Sequence, residues 1–227
     1  MYQICQYAVN KAQNGYLSPS QFNLLANQAQ TSYQDYLLGE FQQYQYGKAA
    51  PRVSYSKNED IRQRLTPLVA EATLTVDGTG FAAYPALYIQ TDAVRNVTTF
   101  ERIRYVQQDS LYSYYNSKID PIATNPIYLL EALGLRFYPI TIGSAKLTYI
   151  KNAPVMVWAY TLDANGRPVY APTQTGLGVI PITGTAQPVW YDVDRLEIIA
   201  RILKLVGLNL QNGMVEQYAA QITNTGQ

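Results

Sequence analysis

The sequence contains no histidine. That single absence removes the commonest general base, the commonest transition-metal ligand and every His-dependent nucleophilic triad. Cysteine is nearly as scarce: Cys5 stands alone, which excludes an internal disulfide and any multi-cysteine metal site. With no histidine to activate it, Cys5 is not read as a nucleophile, and its helix-like surroundings make it a small buried apolar residue. No metal and no cofactor is expected. Charge is thin and balanced, with 17 Lys and Arg against 16 Asp and Glu, so no global field draws the chain to nucleic acid or an anionic membrane. The longest apolar run, Ala153 to Leu162, is about half the roughly 20 residues a helix needs to cross a bilayer. Met1 to Gly15 show no basic stretch leading into an apolar one, so no secretory signal is read and a soluble product made in a cytoplasm is expected.

What is present is an apolar content of 48%, ample for a core, and 21 tyrosines. Tyrosine offers broad amphipathic contact at low entropic cost, which suits both a β core and a surface that packs on other proteins. Residues 2 to 13 carry Cys5, Ala8, Val9 and Ala12 at helical spacing, with Asn14-Gly15 as a stop. Ser18, Pro19 and Gln21 write a capping box, flanked by a Leu17 and Phe22 staple. Phe22, Leu25, Ala26, Ala29, Tyr33, Leu37, Phe41 and Tyr44 then fall three or four apart and predict one long amphipathic helix ending before Gly47, with Gln28, Gln30, Asp35, Gln42 and Gln43 off its apolar stripe. Gly47 to Lys57 reads as extended because of Ala50-Pro51, and Asn58 to Leu65 as a short polar helical turn.

From Leu68 the texture turns β-branched and aromatic, interrupted by turn pairs. A hairpin is expected from Thr73 to Val76 through Asp77-Gly78 to a return strand at Ala86 to Gln90. Phe100 to Val106 and Lys146 to Ile150 read as further strands, and Val155 to Thr161 turns through Asp163 to Gly166 onto Pro168 to Ala171; Ile127 to Leu135 is ambiguous. Near the end Asp194 can cap a helix with Glu197 three later, Val193, Leu196, Ile199, Leu203 and Val206 forming its apolar face and Gly207 ending it. A last helix is expected at Met214 to Ile222. The fold class is therefore α+β: a helical part at 1–67, a mostly antiparallel β region at 68–190, and a helical pair at 191–227 packed against the first part.

Chemistry is hard to find. Paired carboxylates could in principle serve a wall-degrading glycosidase, but Glu59-Asp60 reads as a solvated helix face, and Asp192, Asp194 and Glu197 suit the dipole of a helix start. Gly78-x-Gly80 and Gly176-x-Gly178 lack the Lys and Ser or Thr of a phosphate loop and read as turns, and Asn96-Val97-Thr98 is a chance-frequency glycosylation triplet. Arg52, Lys57, Arg62 and Arg64, and separately Arg95, Arg102 and Arg104, gather with Tyr55 and Tyr105 and could touch a phosphate backbone, although ordinary salt bridges to partner subunits or contact with solvent fit the neutral total better.

Three stretches carry a resemblance. Ser18-Pro19-Ser20-Gln21-Phe22-Asn23, Gln28-Ala29-Gln30, Tyr44-Gln45-Tyr46-Gly47 and Pro51-Arg52-Val53 lie in the first; Asn116-Ser117-Lys118-Ile119, Pro121, Asn125-Pro126-Ile127, Tyr149-Ile150-Lys151-Asn152-Ala153-Pro154 and Val157-Trp158-Ala159-Tyr160 in the second; Leu205-Val206-Gly207-Leu208-Asn209-Leu210 in the third. Together they resemble small virion structural proteins of tailed phages of Bacteroidetes, crAss-like phages included, with a departure at Asn152-Ala153, where that family often has a basic pair. The resemblance implies no catalytic residue. It implies a ring of about twelve copies in the neck of the particle, partnered by the portal and by other neck or tail proteins, with packaged DNA near only by proximity. Arg52, Tyr55, Arg62, Arg102, Arg104, Tyr112 and Trp158 are the expected subunit-interface residues. The alternative is a receptor- or carbohydrate-binding virion module using Tyr88, Tyr112, Tyr114, Tyr115, Trp158 and Trp190 as stacking faces.

Overall fold

The computed structural model describes residues 1–11, 16–42, 52–114, 120–176, 180 and 182–209. In chain order these form α1 (Tyr2–Lys11), α2 (Pro19–Gln42), α3 (Arg52–Leu65), β1 (Val69–Thr75), β2 (Phe81–Ala83), β3 (Tyr88–Asn96), β4 (Arg104–Tyr105), α4 (Gln108–Tyr114), β5 (Ile127–Leu130), β6 (Gly134–Tyr138), β7 (Ser144–Lys151), β8 (Tyr160–Leu162), β9 (Pro168–Tyr170), β10 (Thr175–Gly176), β11 (Ile182–Thr183) and α5 (Asp192–Asn209). The class is α+β. No helix among the described residues is long and apolar enough to cross a membrane.

The chain divides into two units, one made of residues 1–67 with 153–227 and the other of residues 68–152. The β-rich stretch expected at 68–190 is thus shared out: residues from Ala153 onward join the terminal helices. In the helical unit α2 packs on α3 and α5, and α1 packs on α5. The capping box at the start of α2 forms as written, with Ser18 N donating to Gln21 Oε1 (3.1 Å) and Gln21 N to Ser18 Oγ (3.3 Å). Leu17, Phe22, Leu25, Ala26, Ala29, Tyr33 and Leu37 are all buried, as the stripe predicts. Phe41 and Tyr44 lie outside the described side chains, as do the stop at Asn14-Gly15 and the expected helix at Met214 to Ile222.

Three helical expectations need correction. Helix α3 begins at Arg52, not at Asn58, because a proline restricts the residue before it and leaves those after it free to turn. Helix α5 runs through Gly207 to Asn209, since one glycine costs only about 1 kcal/mol inside a helix. Its buried face is Asp194, Ile198, Ile199, Ile202, Leu203 and Val206, whereas Val193 and Leu196 are exposed.

The β unit holds a three-stranded sheet ordered β1-β7-β3 and a four-stranded sheet ordered β2-β6-β5-β4, antiparallel except for β4 beside β5. Leu74, Val94, Ile103, Tyr128, Leu135, Phe137, Ala145 and Leu147 belong to one buried cluster. The turn after β1 is present: Asp77 Oδ1 accepts from Thr79 N (2.8 Å), Thr79 Oγ1 (2.6 Å) and Phe81 N (2.9 Å), and Gly80 sits at φ +81°. The expected return strand is not its partner. The chain leaves the turn as β2, which pairs with β6, while β1 pairs with β7 about seventy residues later. A turn residue fixes a local reversal and leaves pairing to whichever strand completes the buried face.

The strand expected at Phe100 to Val106 shrinks to Arg104–Tyr105. Phe100 takes φ +58° and is exposed, and of the Glu101, Ile103, Tyr105 face only Ile103 is buried. The ambiguous Ile127 to Leu135 stretch opens the β5–β6 hairpin. The hairpin through Asp163 to Gly166 forms as β8 and β9, but Val155 to Ala159 stands apart as an extended segment with, among the described residues, one bridge, Val157 to Ala186.

Candidate functional site

That extended segment presents Trp158, and a face of α2 holds it. Asn23, Asn27, Gln30 and Gln34 recur at four, three and four residues, which places their amides in one line along the helix. Asn23 Nδ2 donates to Trp158 O (3.2 Å) and Trp158 N donates back to Asn23 Oδ1 (2.8 Å). Asn27 repeats the exchange with Met156, donating at 2.7 Å and accepting at 2.8 Å. Gln30 Nε2 donates to Pro154 O (2.9 Å), and Ala153 N donates to Gln34 Oε1 (3.1 Å). A row of side-chain amides thus serves as a strand edge for the alternate residues Trp158, Met156 and Pro154, and Gln34 extends it to Ala153. Proline has no N–H to return to Gln30, and Trp190 Nε1 fills that vacancy, donating to Gln30 Oε1 at 3.2 Å. Gln30, expected off the apolar stripe, is buried with Asn23 and Gln34 for this reason.

Held this way, the Trp158 ring lies against Tyr2, Tyr170 and Tyr160, with centroids 4.4, 5.5 and 6.0 Å away. Tyr2 donates its hydroxyl to Leu17 O, and burial raises its pKa above the ordinary tyrosine value. Tyr2, Phe22, Met156, Trp158, Tyr170 and Thr185 help line a cleft of about 310 Å³. Cys5 lies buried on α1, and burial pushes its thiol up to about 12.

The acidic cluster resolves differently from expectation. Tyr191 C=O accepts the first helical bond of α5, from Arg195 N at 3.1 Å, so Asp194 is not the cap. Its side chain is buried and accepts from the Tyr33 hydroxyl at 2.7 Å, with Arg64 Nη1 3.6 Å away. Arg64 also reaches Asp60 at 3.0 Å. The Tyr33 hydroxyl is raised above its usual pKa, first by burial and then by its bond to Asp194. Asp60 and Asp194 therefore share one guanidinium, a structural arrangement for a buried carboxylate. No cluster of metal-ligating side chains occurs among the described residues.

The expected interface residues are dispersed. Trp158 and Arg62 belong to the helical unit, Arg62 exposed on α3. Arg52 and Tyr55 lie on α3 with their side chains outside the described ones. Arg102, Arg104 and Tyr112 belong to the β unit and are exposed, Tyr112 at 77%. Of the aromatics proposed for sugar stacking, Trp190 is 1% exposed, Tyr88 stacks on Tyr84 at 4.0 Å, Tyr114 packs on the cluster around Leu111, and Tyr115 lies outside the described residues. The basic residue Arg95 is joined to Glu71 (3.1 Å), which also takes Lys146 (2.6 Å). Sequence reasoning missed the amide row; its signal was four amides on one helix face, visible only if amides are scored as a stripe of their own.

No protein-family model matches the chain, and no curated protein matches it.

Proposed function

We propose that the chain is a non-catalytic structural subunit of a tailed-phage particle, forming a ring in the neck that joins the portal to the tail. The observation that carries this reading is the set of large apolar side chains left outside the helical unit. Ile4 and Tyr7 lie three apart on α1, Val193 and Leu196 three apart on α5, and each is more than half exposed. Residues three apart share one helix face, so each pair forms a small apolar ridge of the kind a neighbouring subunit covers. The resemblance spread over the chain supports the same reading, as does a sequence without histidine. The proposed site of action is the virion neck after synthesis in the host cytoplasm, with copies of the chain, the portal and other neck or tail proteins as partners.

The cleft beside Trp158 favours a second reading, a receptor- or carbohydrate-binding module. It is weaker, because Trp158 already packs on three tyrosines and Trp190 is buried, which leaves less ring face for a sugar.

The test is negative-stain imaging and mass measurement of the purified chain with and without portal protein. Rings of about twelve copies are expected. A chain that stays monomeric beside the portal overturns the proposal. Val193→Asp with Leu196→Asp supplies the second arm: both positions are exposed in the first turns of α5, where an acid suits the dipole, so melting should be unchanged while ring formation is lost.

A further inference from the structure

We propose that the outer edge of β1 pairs with the same strand of a second copy of this chain, antiparallel about a two-fold axis at Ala72, to join two three-stranded sheets into one. Among the described residues, strand β1 is bonded on one side, to β7. Val76 N donates to Gly143 O across that pair (3.1 Å), and donors alternate along an antiparallel ladder, so Leu74, Ala72 and Ala70 also face β7. The N–H and C=O groups of Val69, Glu71, Thr73 and Thr75 therefore point away from the sheet, and these four residues are exposed.

The other strand edges of the described residues are managed. The outer edge of β3 carries two register irregularities and is closed further on by Ile103 N to Val94 O and Asn96 N to Glu101 O, each 2.9 Å. Strands β2, β4, β8, β10 and β11 have only two or three residues each, and β9 begins with Pro168. Strand β1 is seven residues long with a regular register, and no backbone bond occupies its outer edge among the described residues. Such an edge is a template for another strand.

The occupant is chosen by self-complementarity. Pairing about Ala72 sets Val69 opposite Thr75, Glu71 opposite Thr73 and Leu74 opposite Ala70 of the second copy, so every outward residue meets an outward residue. On the inner face the large Leu74 meets the small Ala70, and Ala72 meets itself. On the outer face each Glu71 meets a threonine rather than its own copy, and its carboxylate already lies between Lys146 and Arg95. Two acids near the axis are then flanked by four cations, an attractive order of charge. The pairing does not rest on the ring reading, since a closed ring needs a head-to-tail surface and this one is two-fold.

The experiment is disulfide trapping in the full chain. Residues meeting at a non-hydrogen-bonded antiparallel position have Cα atoms about 4.5 Å apart, within disulfide range, and Ala72 occupies that position at the axis. Ala72→Cys should give a covalent dimer under mild oxidation, while Val69→Cys, placed far from its own copy, should not. The native Cys5 is fully buried and does not compete. Thr73→Pro removes an outward N–H in each copy without touching the β7 ladder, and should weaken dimerisation roughly thirtyfold in the unlinked protein. An Ala72→Cys chain that remains a free thiol at high concentration overturns the proposal. So does equal trapping of Val69→Cys, a cross-link to a different protein, or a Thr73→Pro chain that dimerises as the parent does.

Discussion

Replacing Asn27 with leucine tests whether the amide row holds the Trp158 segment. Leucine keeps the number and branching of the heavy atoms and is the better helix former, so a loss of stability reports the missing hydrogen bonds rather than the helix. Met156 N and Met156 O lose their partners, at 2.8 and 2.7 Å, while the third Asn27 bond, to Asn23 O, goes to a carbonyl that the helix ladder already satisfies. Met156 is buried, so its two backbone groups do not regain water easily. An orphaned buried group costs about 1–3 kcal/mol, and because Asn27 itself is half-buried the lower end applies to each, giving about 2 kcal/mol in all. Urea unfolding followed by tryptophan fluorescence is the assay. Trp158 and Trp190, the only tryptophans, both belong to the helical unit, so the signal reports that unit without interference from the other. The midpoint should fall at constant slope. A change below about 0.5 kcal/mol would mean that the row is a consequence of packing from other residues and would refute the reasoning.

Three further outcomes follow from named contacts. The hydroxyls of Tyr2, Tyr33, Tyr84 and Tyr128 are all raised above the ordinary tyrosine pKa by burial. Unfolded tyrosine releases its proton first, so their contribution is complete below about pH 10 and falls as pH rises beyond it; stability against urea should drop on the alkaline side, and Tyr33→Phe should make that drop shallower. At neutral pH Tyr33→Phe should destabilise by about 1–3 kcal/mol, because Asp194 loses its 2.7 Å donor. Gly80→Ala should destabilise the β unit by more than about 1 kcal/mol, since φ is +81° and a Cβ would lie 2.6 Å from Phe137 O; hydrogen exchange of β2 and β6 amides reads it, and unchanged protection would contradict the strain.

The sequence by itself determined what depends on neighbours along the chain. The Ser18 capping box, the Phe22 to Leu37 stripe and the turn at Asp163 to Gly166 between β8 and β9 are local patterns, and each stands where it was read, because a cap, a helical period and a tight turn are satisfied within a few residues. The absence of histidine bounded the chemistry before any fold was known. Tertiary structure decided the rest. Strand β1 took β7 rather than the nearby β3 as its neighbour across the sheet order, since a buried face selects partners by register and not by distance in sequence. Asp194 reads as a cap and is the buried partner of Tyr33 and Arg64, and Gln30 reads as lying off the apolar stripe and is the link between Pro154 and Trp190. Polar side chains carry little periodic signal of their own; what they do depends on which unpaired backbone or hydroxyl group the folded chain brings to them, and only the tertiary structure supplies that group.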